Sequence, residues 1–177
     1  MVQAYNFLAS WQLFPEKGTY EWGERPKSGI YKIEAGLAPK ELTIYHNWVS
    51  LESQAFSSAY TILADGNLNP FTDTQLAEQA QAVFPDSISF EVHFYRKGEA
   101  LLHIIHEIMP NGYLRISLQG VREDGTAYTN TEVYHKQLSV LPYSAAVSGA
   151  VIRPTEEGVI KHKALTAMEE QTNMQLD

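Results

Sequence analysis

The fold class predicted from the sequence is mainly all-β: an antiparallel up-and-down β-barrel of about eight strands. One short helical insertion and a C-terminal extended segment plus helix complete it. Three observations carry this prediction. Strand-like runs at Ser87–Tyr95, Glu99–Met109, Tyr113–Gly120 and Thr126–Lys136 follow one another with no room for crossover helices, so each must pair antiparallel with the next. Arg96-Lys97-Gly98, Pro110-Asn111-Gly112 and Asp124-Gly125 join them, and Asn-Gly and Asp-Gly supply the positive φ angles of short hairpin turns. Three of the four runs alternate: Ile88, Phe90, Val92 and Phe94, then Leu102, Ile104, His106 and Ile108, then Leu114, Ile116 and Leu118 share apolar faces. Open sheets of this size curl or close to hide their edges. A two-layer sandwich is the competing architecture, but sequential hairpins give a barrel directly, whereas most sandwiches need long Greek-key returns.

In chain order, residues 1–8 read as a lead-in and Phe7 to Phe14 as the first strand, with Trp11 and Leu13 on one face. Pro15 to Lys27 is a long connection whose Tyr20 and Trp22 are expected to fold over one end of the core. Gly29–Glu34 is a second strand, with Tyr31 and Ile33 on one side. Glu41–Val49 is a third, with Leu42, Ile44, His46 and Trp48 sharing a face. Ala55–Leu63 is a fourth, with Phe56, Tyr60 and Ile62 together, ending at the Asp65-Gly66 turn signal. Leu76, Ala77, Ala80 and Val83 recur at helical spacing, which predicts a short helix capped by Asp73 or Thr74, running through Ala82 and covering a barrel mouth or flank. In the last strand Tyr128, Asn130, Glu132 and Tyr134 share one face and Thr129, Thr131, Val133 and His135 the other; period alone does not say which points inward. Leu138–Thr155 is extended and irregular. Lys163–Asp177 reads as a helix with Leu165, Met168, Thr172 and Leu176 on a stripe, and it stops without a terminator, as if the natural polypeptide continued. The expected division is a barrel over 1–137 and a linker plus helix over 138–177.

Composition excludes several classes. With 177 residues, 44% hydrophobic and 19% charged, the chain can bury a core without disulfides. A net charge of −8 and no Lys/Arg cluster argue against nucleic acid or an anionic membrane as partner. The absence of Cys removes thiolate chemistry and fits a reducing compartment. With no basic leader followed by an apolar run, the expected location is the cytoplasm.

Residues 6–137 resemble the lipocalin-like branch of the calycin superfamily. The resemblance rests on Ser10-Trp11, like that superfamily's Gly-x-Trp signature with Ala9 in place of the glycine, and on Thr129-Asn130-Thr131-Glu132-Val133-Tyr134-His135-Lys136, like the closing strand of small bacterial lipocalin-like domains and the end of fatty-acid-binding proteins. It implies that Trp11 packs near the closed end beneath Lys136, which stands where Arg is usual. The tail from Pro142 to Leu176 resembles a bacterial domain family of unknown function in which the helix continues; this brings no activity with it.

The candidate ligand-binding residues are Tyr31, His46, Trp48, Phe56, Tyr60, Phe90, His106, Glu132 and Tyr134. His46 and His106 fall on inward faces, but on non-adjacent strands without His-x-His or His-Glu-x-x-His spacing, so hydrogen bonding is expected of them and no metal or cofactor. His103 and His106, three apart on a strand, face opposite ways and cannot chelate together. Parity favours Glu132 inward with Tyr128 and Tyr134, and Arg115 outward. No nucleophile elbow, phosphate loop or dinucleotide fingerprint is present, and no catalytic residue is assigned. The function expected is binding of a small, largely apolar molecule inside the barrel. The alternatives are a filled structural module forming homo-oligomers through its C-terminal helix, and a barrel enzyme of isomerase type using His106 or Glu132.

Overall fold

The computed structural model describes residues 4–72 and 76–138. Eleven strands form one antiparallel sheet: β1 (Ala9–Leu13), β2 (Thr19–Tyr20), β3 (Ser28–Ala35), β4 (Glu41–Val49), β5 (Ala55–Leu63), β6 (Leu68–Pro70), β7 (Gln79–Val83), β8 (Ser89–Arg96), β9 (Glu99–Ile108), β10 (Leu114–Val121) and β11 (Ala127–Lys136). Ten of them run round a barrel in the order β5-β4-β3-β1-β11-β10-β9-β8-β7-β6, while β2 adds to β11 beyond the end of β1. The first strand joins the two halves. Trp11 lies opposite Tyr31 of β3 on one side and Lys136 of β11 on the other.

The barrel has ten strands in its circuit instead of eight, and the difference lies in residues 67–86. The expected helix through Ala82 is absent. Gln79–Val83 forms β7, paired with β6 and β8; residues 73–75 lie outside the described residues. The helical spacing of Leu76, Ala77, Ala80 and Val83 misled because Ala80 and Ala82 are both fully buried while their neighbours are half-buried, a period of two. Pairing on both sides overrides the weak helical preference of an Ala/Gln run. The tail beyond Leu138, including the expected helix at 163–177, also lies outside the described residues.

Closure is incomplete at one seam. β5 comes close to β7, yet no ladder joins β5 to β6 or β7. At one end of this seam the Gly66 amide donates to the Ala82 carbonyl at 3.0 Å. Further along, side chains fill it: Tyr60, Phe71 and Phe94 meet edge to face with centroids 5.1–5.9 Å apart.

One end of the barrel is plugged by its own N-terminal segment. A 3₁₀ turn at Ala4–Asn6 leads to Phe7, which is fully buried against Phe84 and Phe90. Trp11 sits just inside, its Nε1 donating to the Phe7 carbonyl at 3.0 Å. The Lys136 ammonium stands 5.7 Å from the indole ring centre, within range of a cation–π contact.

The hairpin turns follow their sequence signals. Gly125 has φ 84°, and its amide donates to the Arg122 carbonyl at 2.9 Å. Gly125→Ala places a Cβ in left-handed backbone and is expected to cost about 1 kcal/mol. A urea-denaturation midpoint unchanged from the parent would contradict this.

Candidate functional site

Side chains on the barrel's inner face divide into two halves along its axis. Toward the plugged end they are buried: Ile33, Leu42, Ile44, Ile62, Phe90, Leu114 and Tyr134. Toward the opposite end several are accessible although they point the same way. On β4 burial falls from Leu42 and Ile44 to His46 and Trp48; on β5 from Ile62 to Tyr60, Ser58 and Phe56; on β10 from Leu114 and Ile116 to Leu118; on β11 from Tyr134 to Glu132, Asn130 and Tyr128. Register places these residues side by side, His46 opposite Ser58 and Trp48 opposite Phe56. Inner-face side chains are therefore buried in the plugged half, and in the other half they form a cup with accessible inner walls.

The cup's walls are aromatic. Trp48 stacks on Phe56 with centroids 5.2 Å apart and planes 13° from parallel, and His46 stacks on Trp48 at 4.7 Å. Its floor is a polar chain. The Tyr31 hydroxyl meets His106 Nε2 at 2.8 Å, and His106 Nδ1 meets the Phe90 carbonyl at 3.0 Å. A carbonyl only accepts, so Nδ1 carries the proton and Nε2 accepts from Tyr31. Glu132 accepts from Tyr20 at 2.9 Å through Oε1 and from Tyr134 at 2.5 Å through Oε2. Two polar atoms in this region are buried without a well-formed hydrogen bond: His46 Nε2 and the Tyr60 hydroxyl. The Tyr60 hydroxyl has the Tyr31 hydroxyl as its neighbour, close enough for the two to act on each other as weak hydrogen-bond partners, whereas no such partner stands by His46 Nε2.

Burial fixes the protonation of these groups. It pushes the Tyr31 and Tyr134 hydroxyls well above the usual tyrosine range, and for Tyr134 the Glu132 charge adds to it. They remain donors. Burial lowers His106 to about 4, against a smaller opposing effect of the Phe90 hydrogen bond, and it lowers His46 against the opposing pull of Glu132. For His106 the unfolded chain takes a proton near pH 6.5 and the folded chain only near 4. Stability from this residue is therefore complete above pH 6.5 and is lost as pH falls to 4. The loss is on the order of 3 kcal/mol. Urea midpoints measured from pH 7 to pH 4 are expected to fall more steeply in the parent than in His106→Leu; parallel slopes would contradict the assignment.

The nine sequence-predicted ligand residues all lie on the inner face, at different depths. His46, Trp48, Tyr60 and Glu132 line the cup. Phe56 is 38% exposed at its rim. Tyr31, Phe90, His106 and Tyr134 are buried and make up the floor. Arg115 points outward to Glu107 at 2.5 Å. His103 likewise faces outward, away from His106, and meets Glu91. Of the two connection aromatics, Tyr20 reaches the floor through Glu132, whereas Trp22 stays half-exposed against Tyr128. Sequence reading missed the role of Tyr20, because β2 is a two-residue strand inside a Pro/Gly-rich connection. The sequence placed Tyr20 over one end of the core, and only its pairing with Glu132 was out of reach.

A separate cavity of about 580 Å³ lies at the plugged end, lined by Tyr5, Leu8, Leu37, Pro39, Leu42 and Phe84 among others. It touches none of the polar groups of the cup.

Neither a family model nor a curated relative matches the sequence. Among solved structures, the chain is similar to a Schistosoma mansoni fatty acid binding protein in complex with arachidonic acid, at 9% identity and TM-score 0.48, covering 77% of this chain and 99% of that one. It is also similar to a redesigned β-barrel, at 10% identity and TM-score 0.41, covering 76% and 96%.

Proposed function

We propose that the protein binds a small, largely apolar and uncharged molecule in the cup, as a lipocalin-like carrier would. The observation that supports this reading is His46 Nε2, a buried polar atom without a partner, with the weakly held Tyr60 hydroxyl on the adjoining strand, between aromatic walls. An unpaired buried polar group costs about 1–3 kcal/mol, which a ligand's polar tip would recover. Trp48 and Phe56 offer flat apolar surface for its body. The preference for an uncharged guest follows from Glu132. Its carboxylate lies on the inner face, held by Tyr20 and Tyr134, and the cations nearest to these groups, Arg25 by Tyr20 and Arg122 by Tyr128, lie on the connecting segments outside the long strands. Arg122, beside Tyr128, donates to the Glu21 carbonyl through Nη2, and its Nε is buried without a partner. In the same reading residues 138–177 form a separate segment that serves association.

The test is a titration of the full chain with neutral N-phenyl-1-naphthylamine and, in parallel, a fluorescent fatty acid. Native mass spectrometry of protein taken directly from cells accompanies it. Saturable binding of the neutral probe, weaker binding of the acid and a co-purifying uncharged mass are expected. Tighter binding of the acid would refute the charge preference alone. No saturable binding of either would end the carrier reading and favour a filled structural module.

A further inference from the structure

The outer face of the β8–β9 hairpin carries a second cluster, on the far side of the sheet from the cup. His93 of β8 and His103 of β9 are register partners, and their rings stack with centroids 3.9 Å apart and planes 16° from parallel. Glu91, two residues before His93, shares their face. One carboxylate oxygen, Oε2, lies 3.3 Å from His93 Nε2 and 3.0 Å from His103 Nε2. All three ligand atoms fall within 4.8 Å of one another.

From these distances we propose that Glu91, His93 and His103 form a binding site for a divalent transition-metal ion of the zinc class. Zinc takes imidazole nitrogen and carboxylate oxygen at about 2.0–2.2 Å in a tetrahedron, whose ligand–ligand edges are then about 3.3–3.5 Å. The two oxygen–nitrogen separations are already close to such edges, and the two stacked rings must tilt apart so that each Nε2 lone pair, which lies in its ring plane, aims at the ion. Two nitrogens and one oxygen select against magnesium and calcium, which prefer all-oxygen shells. The side chains are 26–27% exposed. That is dry enough to limit competition from water and open enough for a solvent molecule in the fourth position.

Groups on the flanking strands leave the site free. Gln81 of β7, opposite His93, donates to the Gly66 carbonyl, and Gln119 of β10, opposite His103, is exposed. An ion here would clip β8 and β9 together from outside, on the face away from the cup residues.

The test uses the full chain without a histidine tag, titrated with zinc chloride by calorimetry and with cobalt(II) by visible absorption. One equivalent of metal is expected, with cobalt bands of a tetrahedral site. His93→Gln and His103→Gln should lose more affinity than the about 10- to 100-fold typical of an outer-shell partner, and Glu91→Gln should be weakened in the same direction. His135→Gln, on another strand, should leave binding unchanged. In proton NMR the imidazole signals of His93 and His103 should shift on zinc addition, and those of His46 and His106 should not. Absence of stoichiometric uptake would overturn the proposal, as would uptake that all three cluster variants leave intact.

Discussion

Trp11→Ala is expected to be the most damaging single change in the barrel, removing about 3–5 kcal/mol of stability. The side chain is 1% exposed, and it sits on the short strand that joins β3 to β11. Its loss opens a cavity beneath the plug and leaves the Phe7 carbonyl without its donor. It also takes the ring from under the Lys136 ammonium. A domain of ordinary stability holds about 5–15 kcal/mol in total, so the variant would be marginal at 37 °C. Trp11→Phe, which keeps most of the apolar volume, should fall between parent and Ala. Chemical denaturation with matched m-values checks the order. A loss below about 1 kcal/mol for the Ala variant would mean that β1 does not hold the barrel shut.

Ser58→Trp is expected to abolish guest binding while leaving the fold intact. Ser58 points into the cup opposite His46, and it is exposed, so a large side chain there displaces no packed core. The new indole would continue the Trp48–Phe56 stack across the space a ligand needs. Affinity for a neutral apolar probe should drop by at least about tenfold, equivalent to about 1.4 kcal/mol, with the unfolding midpoint nearly unchanged. Unaltered probe binding in a folded variant would place the guest elsewhere, and the 580 Å³ cavity at the plugged end would be the next candidate.

Much of the barrel was legible because period-two patterning and turn chemistry agree over the meander. The sequence-predicted strands at Glu41–Val49 and Ala55–Leu63 match β4 and β5 at both ends. Period alone left the orientation of β11 open, since both its faces mix polar and apolar residues; parity favoured Glu132 inward with Tyr128 and Tyr134, and the register of Glu132 with Ile116 and of Tyr134 with Leu114 agrees. β7 was misread because small residues satisfy helix and strand periods equally well over five positions. The depth of each inner-face residue was beyond reach. Alternation tells which face a side chain occupies and not whether that level of the barrel is packed, so Phe90 and His106 looked like ligand walls and are floor. The Glu91–His93–His103 cluster was invisible for a related reason. Its members come from two strands, and only the hairpin register, with its irregularity at Phe94 and Tyr95, brings the two histidines face to face.

The unladdered joint between β5 and its neighbour across the seam gives this ring one place to dilate. Elsewhere, widening the wall means tearing rows of main-chain bonds; here it needs only that Tyr60, Phe71 and Phe94 slide past one another. The bonds from Gly66 to Ala82 and from Gln81 to Gly66 would hold the seam at their end, so an opening would come at the end away from the plug. Hydrogen exchange should register this as faster turnover in β5 than in β4, and equal rates would rule out the opening. The girth of the largest molecule admitted would then be governed by how three phenyl rings rearrange, with the backbone frame left as it is.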